Sequence, residues 1–177
     1  MLKKLHYLLL FFLCSCVNNA PDVNNKSNQN TFEKDLAKYE SIWNSFLAGD
    51  TSVINKNNFQ EDVVVVTAQG DLVGIKSIKD FYMNYLNGFS NIEFTILDAF
   101  GQGDRIVKHW NFKGKHTGTF FGIPSTGNNL DLSGTTLVTM KDGKIAKEQD
   151  FFDMQSLTAQ LQKPSNDKVV VDDYTGM

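Results

Sequence analysis

The apolar positions of this chain change their spacing along its length, and each change marks a switch between helix and strand. Phe32, Leu36, Tyr39, Trp43 and Phe46 recur three or four residues apart, the period of a helix with one buried face. The pattern predicts a start near Asn30 or Thr31, with Glu33 placed to satisfy the first amides, and an end near Gly49. Residues 51–59 fit a short helical turn. Val63 to Val66 is a continuous β-branched run that reads as a strand, followed by a Gln69-Gly70-Asp71 turn. The helical period then returns at Ile75, Ile78, Phe81, Tyr82, Tyr85 and Leu86, and Gly88 closes it.

Beyond Gly88 the period falls to two. Ile92, Phe94, Ile96 and Phe100 make one strand, interrupted at Asp98, and residues 105–121 make a long strand or a bent pair. Leu130, Leu132, Thr136, Val138 and Met140 alternate in another. Asp142-Gly143 is a two-residue hairpin signal, so residues 144–152 return antiparallel, and Met154 to Leu161 form a last short helix. Helices first and a run of strands after them predict an α+β domain over residues 31–163, with helices covering one sheet face.

The ends differ in kind. Lys3 and Lys4 precede an apolar run at residues 8–13 that is too short to span a bilayer, so residues 1–15 read as a secretory signal. Leu13-Cys14-Ser15-Cys16 resembles a bacterial lipoprotein box, which implies cleavage before Cys16, a lipid on its sulfur, and an exported, membrane-anchored protein on the periplasmic or cell-surface side. Residues 16–30 are rich in Asn and poor in apolar side chains, as expected of a flexible tether, and residues 164–177 form a weakly ordered tail.

Composition narrows the function. Cys14 and Cys16 are the only cysteines, so a chain processed at Cys16 has no internal disulfide and no thiol cluster for a structural zinc. Processing removes two lysines and no acids, leaving 15 basic against 20 acidic side chains, a net charge of −5. That sign, with no basic cluster, argues against a nucleic-acid partner. Twelve of the fourteen Phe lie beyond the signal segment and concentrate in the predicted elements, as a ring-lined core or pocket requires.

Several segments together resemble one family. They are Asp62-Val63-Val64, Gly74, Gly103-Asp104-Arg105-Ile106-Val107, Trp110 with Phe112-Lys113-Gly114, and His116-Thr117-Gly118. Phe121-Gly122-Ile123-Pro124-Ser125-Thr126-Gly127, Asp142-Gly143-Lys144-Ile145, and Asp153 ahead of Gln160-Leu161 complete the set. Their order over residues 32–162 resembles the SnoaL-like polyketide cyclases of the nuclear-transport-factor-2-like superfamily. The resemblance implies a cone with a curved antiparallel sheet wrapped on N-terminal helices, a central pocket, and a homodimer formed through the sheet. It implies ring closure by intramolecular aldol condensation without metal or cofactor, and an acid/base Asp late in the chain, most plausibly Asp153. Gln149 stands where the family often has Trp, which argues against a polyaromatic substrate.

Aldol chemistry needs a base for a proton α to a carbonyl and a donor for the enolate oxygen. Asp153, beside Phe151 and Phe152, fits the base, and strand parity places it with Gln149 and Phe151 on the pocket face; it equally fits the N-cap of the last helix. Asp150 falls on the opposite, solvated parity. His116 shares parity with Trp110 and Phe112, so it serves either as a donor in the pocket or as a structural histidine holding the Gly-Ile-Pro loop. His109 falls on the outer face. Trp43, Tyr82, Trp110, Phe112, Gln149 and Phe151 are the candidate substrate-binding residues, with Tyr39 and Tyr85 lining the pocket or packing the core. The expected occupant is a small hydrophobic ligand or carbonyl substrate.

Overall fold

The computed structural model describes residues 23–164; the signal segment, Cys16 and the tail beyond Pro164 lie outside the described residues. Helix α1 (Val23–Leu47) leads through a 3-10 turn (Thr51–Val53) into strands β1 (Phe59–Thr67) and β2 (Gly70–Val73). Helix α2 (Ile75–Gly88) follows, then strands β3 (Phe89–Gln102), β4 (Arg105–His116), β5 (Asn129–Lys141) and β6 (Lys144–Phe152), and helix α3 (Met154–Gln162). All six strands form one mixed sheet in the order β2-β1-β6-β5-β4-β3, so the α+β class holds. The expected all-antiparallel sheet is corrected at one seam, where β1 runs parallel to β6. That pairing joins segments about 80 residues apart, and local patterning carries no trace of it.

Helix α1 begins at Val23, inside the segment expected to be a tether. No Gly or Pro interrupts residues 23–47, and once Tyr39, Trp43 and Phe46 are packed on the sheet each added turn needs no new nucleus. Helix α2 matches its pattern from Ile75 to Gly88. Asp142 and Gly143 both take positive φ, 51° and 67°, as the two-residue hairpin demands.

Two apolar clusters share the inner face of the sheet. One joins Tyr39, Trp43, Phe46, Ile78, Val63 and Ile145; the other joins Phe89, Trp110, Phe112, Leu130, Leu157 and Leu161. The clusters meet without closing completely, and the functional site lies at that junction.

Candidate active site

Strand β4 supplies one wall by strict alternation. Ile106, Lys108, Trp110, Phe112 and His116 are all buried on the inner face, while His109 is exposed on the outer one. Helix α1 lays Tyr39, Trp43 and Phe46 across the opening, and α2 adds Tyr82 and Tyr85. With Phe94, Leu132 and Phe152 these side chains line a cavity of about 70 Å³, room for about two waters or one small organic molecule. Gly134 of β5 sits opposite Trp110, where a Cβ would lie 2.4 Å from Cζ2, so glycine there fixes how deeply the indole enters.

Strand β6 supplies the acids through a bulge. Met140 pairs with Ile145 and Thr139 with Lys147, which leaves Ala146 as an extra residue. Ile145 is buried before the bulge, and the alternation then flips, so Glu148, Asp150 and Phe152 turn inward. Gln149 and Phe151 turn outward, with Phe151 49% exposed. The expected parity is therefore reversed: Asp150, not Asp153, lines the cavity. Asp153 is exposed at the start of α3, its carboxylate accepting from the N–H groups of Gln155 (2.9 Å) and Ser156 (3.1 Å). It is the N-cap, and no cavity wall includes it.

The acids form one network. Glu148, 1% exposed, accepts hydrogen bonds from the hydroxyls of Tyr39 and, at 3.2 Å, Tyr82. Asp150 accepts from the Thr136 hydroxyl at one oxygen; its other oxygen lies 3.5 Å from the Tyr82 hydroxyl. Thr136 is oriented in turn by the Trp110 indole N–H at 2.9 Å. Tyr82 has one hydrogen to offer two carboxylates, so one Asp150 oxygen is anchored and the other is held only weakly. Burial pushes the Glu148 carboxyl up to about 7; the Lys108 charge and the two tyrosine hydroxyls oppose this, and Asp150 adds to it. Burial, then Glu148 and Asp150, raise Tyr39 and Tyr82, which therefore stay protonated as donors. The Trp43 indole N–H is buried with no partner among the described residues.

His116 lies away from this cavity. Its Nδ1 is 3.0 Å from the Thr126 hydroxyl, its carbonyl accepts from Gly127 N–H and the Ser125 hydroxyl, and its ring packs 5.3 Å from Phe89. Burial lowers its pKa, keeping the ring neutral. It holds the Gly-Ile-Pro loop. Of the expected site residues the cavity gathers Trp43, Tyr82, Trp110 and Phe112, and excludes Asp153, His116, Gln149 and Phe151. It adds Lys108, Glu148 and Asp150. Lys108 had a visible signal, the parity of Trp110 and Phe112; the two acids had none, because the bulge hides their face.

Helices on a curved mixed sheet, with two acids lining an aromatic cavity, define the architectural class. A sequence profile of the SnoaL-like polyketide cyclases matches residues 36–161, and the chain belongs to that family. Solved structures agree in fold. A proposed SnoaL-like polyketide cyclase from Jannaschia sp. CCS1 is 21% identical with a TM-score of 0.67, over 77% of this chain and 94% of that one. AclR from Streptomyces galilaeus, a proposed hydroxylase, is 18% identical with a TM-score of 0.64, over 74% and 96%. IdmH from Streptomyces antibioticus, a proposed polyketide cyclase, is 18% identical with a TM-score of 0.60, over 72% and 97%. No curated protein matches the chain. Identities this low speak for fold alone, and a fold by itself does not fix the chemistry.

Proposed function

We propose that this protein is an acid/base enzyme of the cyclase or isomerase kind, acting on a small apolar carbonyl compound without a cofactor. One observation carries the reading: Asp150 faces an aromatic cavity with one oxygen anchored by Thr136 and the other held only by a long contact to Tyr82. In such a cavity Asp150 removes a proton α to the carbonyl. The unpartnered Trp43 N–H donates to the oxygen that becomes an enolate. Tyr82, shared between Asp150 and Glu148, links the base to a carboxyl that titrates near neutrality. The enolate then attacks a second carbonyl of the same molecule in an aldol-type closure, or is reprotonated at another carbon in an isomerisation. The cavity size favours a compact substrate over a polyaromatic one; Gln149, on the outer face, plays no part in that choice.

The test is α-hydrogen exchange in D₂O with small cyclic ketones as probes. Exchange catalysed by the wild-type protein and lost in Asp150→Asn supports the reading. Saturable binding with no exchange would assign the protein to its alternative, a tethered module that holds a hydrophobic ligand or a protein partner.

Two features of the sequence belong to the same proposal. The lipoprotein box at Cys16 supports an exported, lipid-anchored form, checked by mass spectrometry of the mature N-terminus. A homodimer through the outer sheet face is supported by the row Phe100–Val107–Leu137, with Phe100 60% exposed, and is checked by sedimentation.

A further inference from the structure

Lys108 is the one cavity residue that neither the fold nor the acid/base reading uses. It occupies the inner face of β4 between Ile106 and Trp110, 5% exposed. Its nitrogen lies 4.5 Å from the centroid of the Tyr39 ring, 5.2 Å from that of Phe94 and 5.9 Å from that of Trp43. Among the described residues it makes no ion pair, although Glu148 and Asp150 line the same cavity. A buried lysine kept for stability is ordinarily paired, and an apolar side chain fills such a position at lower cost. Arginine, which stacks better on rings, is the usual choice for a purely electrostatic role. Burial lowers the Lys108 pKa, against the opposing carboxylates of Glu148, Asp150 and Glu40.

We propose that Lys108 is a nucleophile, and that its amine forms a Schiff base with the small aldehyde or ketone occupying the cavity. The neutral amine adds to the carbonyl carbon and makes the C–N bond of a carbinolamine. The C–O bond then breaks, and the oxygen leaves as water with one hydrogen from the nitrogen and one from the Glu148 carboxyl. An iminium bearing the remaining N–H is left beside the Glu148 carboxylate. Glu148 suits this transfer, because its carboxyl titrates at about 7 and it shares the cavity with Lys108. Asp150 then takes the α-proton to give an enamine, an easier step than from the free ketone because the iminium nitrogen draws the electrons. The inference rests on a carbonyl compound as occupant and adds to that reading a covalent route to the same carbanion equivalent.

The full chain is incubated with cyclohexanone and cyanoborohydride, and the products are mapped by peptide mass spectrometry. One cyclohexyl group at Lys108, appearing faster than at the exposed lysines and blocked by a competing ketone, is the expected result. Lys108→Met removes that label. Lys108→Arg keeps the charge but not the nucleophile, and loses α-exchange to the level of the Met variant. Asp150→Asn keeps the label and loses the exchange.

Each contrary outcome has a distinct meaning. Labelling confined to exposed lysines while Asp150-dependent exchange continues overturns the Schiff base and leaves the acid/base reading standing. Full exchange in Lys108→Arg overturns it as well. Labelling at Lys108 without any exchange keeps the nucleophile and removes Asp150 as base, and failure of both ends both ideas.

Discussion

His116 and Glu148 are both buried polar side chains on the inner face of the sheet, and they are buried in opposite ways. The partners of His116 come from residues 125–128, the loop that its own strand enters. Its ring is neutral, its Nδ1 and carbonyl are held by that loop, and only its buried Nε2 is left without a partner among the described residues, so the arrangement holds a shape. Glu148 draws its donors from α1 and α2, faces a lysine from β4, and borders empty space. A carboxyl raised to about 7 is a burden to the folded state, retained at a place where nothing local requires it. The contrast separates polarity that builds from polarity that waits for a ligand.

Four experiments test that contrast. Asp150→Asn is expected to lower turnover by about a thousand-fold or more while shifting stability by no more than about 1 kcal/mol. A parallel collapse in thermal unfolding would place Asp150 with the builders. The second concerns pH. Glu148 carries a raised folded pKa, so between pH 4.5 and 7 the native state binds more protons than the unfolded chain. Stability is therefore greatest below 4.5 and declines through 7, by about 3 kcal/mol at most for this group. Urea titrations across that range should show the decline in the wild type and a flatter profile in Glu148→Gln. Next, His116→Ala is expected to cost about 2 kcal/mol by leaving a void beside Phe89 and removing the ring's contact with the Thr126 hydroxyl, with Asp150-dependent exchange intact. Finally, Asp153→Ala removes the α3 cap and should lower stability by about 1 kcal/mol without changing exchange. Loss of exchange in that variant would revive the exposed acid as a participant.

Periodicity made most of the architecture legible. The stripe from Phe32 to Phe46, the bounds of α2, the Asp-Gly hairpin and the alternation of β4 all follow from side chains that bury or bend where they stand. The site was legible on that same basis only along β4 and the helices, which is why Trp43, Tyr82, Trp110 and Phe112 were found. Lys108 sat in plain alternation with them, hidden only by the expectation that a charge faces water. Glu148 and Asp150 could not be placed, because their face depends on a backbone irregularity at Ala146, a residue whose side chain announces nothing. The β1–β6 seam was equally silent, since it depends on how the sheet assembles rather than on either strand alone.

The extra residue at Ala146 also makes strand pairing a determinant of chemistry. Were Ala146 paired in a regular ladder instead of bulged out, the strand would carry Lys147, Gln149 and Phe151 into the cavity and send both acids to the outer face. Every catalytic candidate on β6 would still be present in the sequence, and none would reach the substrate. In this strand the reach of the acids is therefore set by whether one alanine is paired or skipped, with no active-site residue replaced.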